Sequence, residues 1–402
     1  MRFLFSLLFL LLSLSAAAQT PTVSTVASPA RGVRAVWLCT YSGLDWPAGH
    51  YARTAAEALE QKAQLSRIFD GLQAAGINTV LFQTRIRATV AYPSQIEPWD
   101  GAFSGTPGVA PPYDVLRFAI DEAHRRGMEL HAYLVTFPGN TLPEAKRLGR
   151  QSLPARMPQL CTRAGDKWQL DPGVPGTAEY LAELVREIVS RYDVDGIHLD
   201  YIRYPEPSIP FDDRRTYARY GHRRPKAEWR RENVNRTVQL ISETVRSIRP
   251  WVKITCAPIG KYADLPAQSS KGWNARDAVS QDAQLWLRRG WMDGLFPMMY
   301  FDGQHFYPFA VNWQEHTYGR PVAPGLGAYQ LAPEERNWSL LQIVRQLRFI
   351  HAEGFAGEAY FRSQFLLNNV KGLLDFVHDH YAQPHPPAAY GRRLYPLGRA
   401  RF

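Results

Sequence analysis

Cysteine is scarce in this chain, and no metal-ligand spacing is present. The 402 residues include only Cys39, Cys161 and Cys256, enough for at most one intramolecular disulfide. Their separation fits no zinc motif. Cys39 and Cys256 fall in apolar, strand-like runs and read as buried thiols. A glycine-rich phosphate loop is absent, and so is a G-x-S-x-G elbow, which removes the usual nucleotide-binding and serine-hydrolase chemistries. Nothing points to a nicotinamide, a flavin or any other cofactor. No nucleic-acid recognition motif occurs, and no run after the N-terminus is apolar enough to span a bilayer. His378-x-His380 looks like a metal pair, but it sits at the end of the last expected helix and reads as a solvated pair.

The N-terminus is different. Met1–Gln19 has one arginine, an apolar run and then small residues, the pattern of a secretory signal cut after Ala18. No cysteine follows the small residues, so a lipid anchor is not expected. An exported protein, periplasmic or extracellular, follows. Net charge is +10, and Arg203–Arg249 holds 12 Lys/Arg against 6 Asp/Glu. Such a segment could be drawn to an anionic envelope polymer; the competing reading is a solvated helix face. The 11 Trp and 20 Tyr suit either a sugar-binding cleft or a large core.

From residue 32 onward, short apolar runs alternate with helical patterns. Strands are expected at Ala35–Cys39, Thr79–Gln83, Glu129–Tyr133, Gly196–Leu199, Lys253–Ala257, Gly294–Met299, Val322–Gly327 and Gly357–Phe361. Helices are expected near Thr54–Ala75, Asp114–Arg126, Thr177–Arg191, Glu228–Ile248, Ala275–Arg289, Arg336–His351 and Phe365–His378. In Thr177–Arg191, for example, Leu181, Leu184, Val185, Ile188 and Val189 recur at helical spacing. Alternation of this kind argues for a parallel sheet, and eight units argue for closure into a (β/α)8, or TIM, barrel. Long segments follow the second, third, fourth and sixth strands. All of them lie on the C-terminal face, where this fold keeps its chemistry. The expected division is a signal peptide (1–18), a flexible leader (19–31), the barrel (32–380) and an irregular basic tail (381–402).

The organising stretch is Tyr192–Pro205, Y-D-V-D-G-I-H-L-D-Y-I-R-Y-P. By the period of two, Ile197 and Leu199 share one face, and Gly196, His198 and Asp200 the other. An acid at the C-terminal end of such a strand faces the mouth of a barrel. Asp195 and Asp293 each precede a glycine at a strand start, on the opposite face, and read as structural.

Several blocks resemble the glycosyl-hydrolase-like 10 family of secreted bacterial barrel proteins. They are R-G-V-R-A-V-W-L at 31–38 with D-W-P at 45–47, N-T-V-L-F-Q-T-R at 78–85, and A-Y-P-S at 91–94 with E-P-W at 97–99. The third unit, 113–133, and above all V-D-G-I-H-L-D-Y-I-R-Y-P at 194–205 with W-R-R-E-N-V-N at 229–235, extend the likeness. Two places depart from it: Val135-Thr136-Phe137-Pro138 after the third strand, and Met299 before Tyr300. The resemblance implies a glycan substrate, a polysaccharide or oligosaccharide, with peptidoglycan glycan strands as the first candidate.

Glycoside hydrolysis needs two carboxyl groups flanking the scissile bond. Asp200, Asp302 and Glu358 are the candidates at C-terminal strand ends; Asp45 and Glu97 rank lower. Asp200 is expected to be the ionised carboxylate, with Arg203 favouring its charge. Asp302, between Met298–Phe301 and the following loop, is expected to keep a proton, and Glu358 is its alternative. Gln83, Arg85, His131, His198, Tyr201, Arg203 and Tyr300 could hold sugar hydroxyls, although each type is also common as a core hydrogen-bond partner. Trp46 and Trp99 are candidate stacking platforms. A glycan-binding barrel without turnover is the rival to the hydrolase, since fold alone does not fix function.

Export has a direct check. N-terminal sequencing of envelope-fraction protein should begin near Gln19, and a mature chain that retains Met1 contradicts the signal reading.

Overall fold

In the computed structural model, which describes residues 32–268 and 272–381, every apolar run expected as a strand joins one parallel sheet. The strands are β1 (Val33–Leu38), β2 (Thr79–Arg85), β3 (Glu129–Val135), β4 (Gly196–Asp200), β5 (Lys253–Cys256), β6 (Gly294–Leu295), β7 (Gly325–Leu326) and β8 (Gly357–Tyr360). Their order is β7-β8-β1-β2-β3-β4-β5-β6, so strands consecutive in the chain are neighbours in the sheet. The outer two close the ring: Ala323 N donates to Leu295 O (2.9 Å), Gly325 N to Pro297 O (2.7 Å) and Met299 N to Gly325 O (3.0 Å). The architecture is the expected TIM barrel.

β6 and β7 are shorter than their apolar runs suggest. Pro297 and Pro324 have no N–H to give a ladder, so pairing continues there only as single bridges such as Met298–Gly325.

Helices alternate with the strands: α1 (Ala55–Ala74), α2 (Val115–Arg125), α3 (Thr177–Arg191), α4 (Lys226–Ile248), α5 (Ala283–Arg288), α6 (Phe306–Glu315), α7 (Leu340–Ala352) and α8 (Leu373–His380). A capping box opens α1. The Thr54 hydroxyl accepts from Glu57 N (3.2 Å), and the Glu57 carboxylate accepts from Thr54 N (3.0 Å). Ala58, Gln61, Leu65, Phe69 and Leu72 then recur every three or four residues and are buried. The single helix expected over Ala275–Arg289 is divided into Ala275–Ala278 and α5, with Ser280 between them at a left-handed φ of 59°. The segment after β3, expected to be irregular, contains an antiparallel sheet of Pro138–Thr141, Lys167–Leu170 and Cys161–Ala164.

The alternation within strands separates two apolar layers. Val33, Ala35 and Trp37 of β1, Leu81, Tyr133, Phe296 and Ala359 fill the barrel. Ile197 and Leu199 face outward into the larger layer beneath the helices, leaving Gly196, His198 and Asp200 to the interior. Gly196 is required there, because a Cβ would lie 2.7 Å from the His131 ring. Among the described residues no helix is long and apolar enough to cross a membrane. The expected signal peptide, the leader and the tail from residue 382 lie outside the described residues.

Gly357 joins β8 to β1 at φ +138°, and a Cβ there would lie 1.9 Å from Val33 O. Only main-chain movement could relieve that contact. Gly357→Ala should therefore destabilise the barrel by more than about 2 kcal/mol. A denaturation midpoint equal to wild type contradicts this register.

Candidate active site

A polar column runs up the barrel interior and ends at Asp200. At its foot, Lys253 Nζ lies 2.6 Å from both carboxylate oxygens of Glu129. Above it, His198 Nδ1 is 3.0 Å from Thr255 Oγ1, and Trp37 Nε1 donates to His198 Nε2 at 3.2 Å. An indole can only donate, so Nε2 is the bare nitrogen and the proton sits on Nδ1. Burial, aided by His131, holds the His198 pKa well below the ordinary imidazole value. This neutral ring is enclosed edge-on by Trp37, Tyr133 and Phe296.

At the top, Tyr133 Oη donates to Asp200 Oδ2 (2.8 Å), and Tyr201 N donates to Asp200 Oδ1 (2.6 Å). The second bond exists because Tyr201 turns back at φ +49°. A bulky residue in that region is strained by about 1–3 kcal/mol, the kind of strain that collects at functional sites. Asp200 is 5 % exposed. Burial pushes its carboxyl above the ordinary range, outweighing the Tyr133 bond, the Arg203 charge and the Tyr201 N–H that act the other way.

Beside this group opens a cleft of about 850 Å³. Arg203, Glu206, Lys261, Trp273, Tyr300, Asp302, Arg336 and Trp338 are among its walls. The Arg203 guanidinium stacks 4.6 Å from the Tyr201 ring centre and 5.5 Å from that of Trp273. Its Nη2 pairs with Glu206 at 2.9 Å. Burial pushes the Glu206 carboxyl up, but Arg203 and the local hydrogen bonds outweigh it and hold the group below the ordinary range. Asp200 and Glu206 also sense each other's charge. Burial, and after it the nearby Asp200 charge, pushes the Tyr300 phenol up, and among the described residues its buried hydroxyl has no partner.

The candidates from sequence therefore divide. Asp200, Tyr201, Arg203 and Tyr300 gather at the mouth, with Asp302 at the rim of the cleft. Asp302 is exposed, so the apolar setting expected around it does not exist. Glu358 needs a larger correction. It faces outward from β8, 3.1 Å from His351 Nε2 on α7, because its neighbour Ala359 takes the inward position. His380, the second of the metal-like pair, stacks on that same His351.

Other candidates prove to be scaffolding. Trp46 is wholly buried and donates to Gln61 O (3.1 Å), so its ring cannot stack on a sugar. Gln83 Oε1 accepts from Thr40 N and Tyr41 N, fixing the loop after β1. Arg85, with no exposure, pairs with Glu97 at 2.7 Å and donates to the Val135 and Thr136 carbonyls. Buried His131 and His198 belong to the column. Asp45 is caged by Arg362, Cys39 N and Gln364 N, and Trp99 packs edge-on against Phe103. Arg203 does act to favour the charge of Asp200, but burial outweighs it, so the ionised role expected of Asp200 is not the one its setting favours; the ion-pair partner of Arg203 is Glu206.

Sequence reasoning passed over Glu206, Lys261, Trp273, Arg336 and Trp338. Glu206 had a local signal, lying three residues beyond Arg203 in the same loop. The others come from loops after β5 and β7, where no periodicity marks a direction.

Comparison with known proteins bears on the family and the fold. The sequence model of the family described as glycosyl hydrolase-like 10 matches residues 32–323. Glycosyl hydrolase DigH of Escherichia coli K12 is 33% identical over 326 residues, covering 73% of this chain and 74% of its own. Glycosyl hydrolase YngK of Bacillus subtilis is 29% identical over 377 residues, covering 88% and 72%. Among solved structures, the PgaB (BpsB) glycoside hydrolase domain of Bordetella bronchiseptica superposes with a TM-score of 0.59 at 13% identity, covering 88% of this chain and 99% of that one. The catalytic domain of a Paenibacillus polymyxa β-amylase gives 0.57 at 10% identity, covering 88% and 98%. At such identities these two show the fold alone.

The raised pKa of Asp200 makes a stability prediction. Folding tightens its hold on a proton, so a penalty grows as pH rises through the unfolded carboxyl range near about 3.9 and is complete above the folded pKa. Asp200→Asn lacks that penalty. It should melt higher than wild type at pH 7, each kcal/mol being worth only about 1–2 °C in a chain this large, with the gap closing below that range. Equal melting temperatures at all pH values contradict the assignment.

Proposed function

The chain belongs to the glycosyl hydrolase-like 10 family, and we propose that it hydrolyses glycosidic bonds in an extracytoplasmic polysaccharide or oligosaccharide, with peptidoglycan glycan strands as the first candidate. The observation that carries this reading is Asp200 at the C-terminal end of β4, its carboxyl pushed above the ordinary range by burial, beside an aromatic and charged cleft. Export rests on the signal-like N-terminus.

Two carboxyls with opposed environments support acid and base roles. Asp200 carries the proton for the leaving oxygen. Glu206, kept ionised by Arg203, faces the positive charge that develops on the sugar ring. Activity then falls at high pH as Asp200 loses its proton, and at low pH as Glu206 gains one. Asp302, at the rim, remains the alternative partner.

The reading without turnover, a glycan-binding barrel, has one observation in its favour. Neither partner expected from sequence has a setting suited to acid chemistry: Glu358 faces away from the mouth and Asp302 is exposed.

A panel of glycans, peptidoglycan strands included, separates the two. Wild type should release new reducing ends from at least one. Asp200→Asn should lose roughly 10²–10⁴-fold on natural glycosides and far less on activated aryl glycosides, whose leaving groups need little protonation. Glu206→Gln should lower both. Binding without release by wild type favours the idle barrel, and near-normal turnover in a folded Asp200→Asn overturns the assignment.

A further inference from the structure

The mouth beside Asp200 has more hydrogen-bond donors than acceptors. Arg203 is 5 % exposed, yet among the described residues its Nε and Nη1 have no partner, and the buried Tyr300 hydroxyl has none either. Only Nη2 is engaged, by Glu206. A buried guanidinium left partly unpaired is costly and rarely kept without a use. Packing explains where Arg203 sits, between Tyr201 and Trp273, but not its unpaired nitrogens.

Resting on the glycan-hydrolase reading, we propose that Arg203, with Tyr300, is a specificity-determining pair that binds a carboxylate carried by the substrate sugar next to the cleaved bond. A sugar hydroxyl brings a donor of its own to a place already rich in donors. An amide carbonyl offers two lone pairs and no charge. A carboxylate brings about four acceptor sites and a negative charge, and it fits the guanidinium fork edge-on. Arg203, Lys261 and Arg336 stand in the same walls as two carboxylates, Glu206 and Asp302, with Lys261 also paired to Asp264 at 2.8 Å. The unpaired nitrogens are covered in this structure. Occupation therefore requires one of the flanking rings to shift, and both Tyr201 and Trp273 are partly exposed, each at 37%.

The test uses the full chain and a matched pair of probes: an amino-sugar oligosaccharide bearing carboxylates, and the same oligosaccharide with each carboxylate reduced to CH2OH. Binding is followed by tryptophan fluorescence, with Trp273→Phe identifying the reporter. Wild type should bind the acidic probe about 10- to 100-fold more tightly, the range that charge-assisted hydrogen bonds give. Arg203→Gln should bind both probes alike, Arg203→Lys should recover part of the preference, and Tyr300→Phe should weaken the acidic probe alone by a few fold. Equal binding of the two probes by wild type, or binding of neither, overturns the proposal without needing any variant to fold. Failure of the hydrolase reading looks different: no glycan is cleaved, whichever probe is preferred.

Discussion

One buried carboxyl sets the terms for the rest of the molecule. Asp200 sits where a charged acid is unfavourable, and two donors, Tyr133 Oη and Tyr201 N, hold it in one orientation. Neither donor offsets the desolvation, so the carboxyl keeps a raised pKa. The barrel makes this possible. Eight parallel strands converge their inward side chains on one mouth, and layers of Trp37, His198 and Phe296 beneath it exclude solvent from below. The neutral His198 matters for the same reason: an imidazolium just beneath the carboxyl would favour its ionised form.

Above the mouth, buried ion pairs do structural work that resembles substrate binding when read from residue type alone. Arg85 joins the end of β2 to Glu97 and to the carbonyls after β3. Asp45 joins the loop after β1 to Arg362 beyond β8. Breaking either pair would leave a buried charge unpaired, a loss of about 3–5 kcal/mol. These clamps fix the loops after β1, β2 and β8, whose residues are not among the cleft walls, so their part in any chemistry is one of position.

Most of the fold was legible because periodicity reports a side chain's direction. Alternation in Gly196–Asp200 assigned Ile197 and Leu199 outward and Asp200 inward, and both directions hold in the structure. The same rule places Glu358 outward once Ala359 is known to face in, but a short strand with small residues on either side gives little contrast to choose between phases. Asp302 failed for a different reason. Apolar neighbours in sequence do not bury a side chain when the backbone turns into a loop, and Asp302 leads into the short helix Gly303–His305. Likewise Trp46 and Arg85 are types found both in sugar sites and in cores, and only three-dimensional packing separates the uses. Glu206 and Trp273 belong to loops whose paths no local pattern fixes.

The proposed chemistry depends on Asp200 holding its proton more tightly than an ordinary carboxyl. Carbon-13 NMR of protein labelled at the aspartate carboxyl, with the Asp200 signal identified by its absence in Asp200→Asn, measures this directly. The titration midpoint should lie clearly above the ordinary aspartate value of about 3.9 and move higher still when Tyr133→Phe removes the hydrogen bond to Oδ2. A midpoint at or below that ordinary value in the folded wild-type protein would contradict that chemistry.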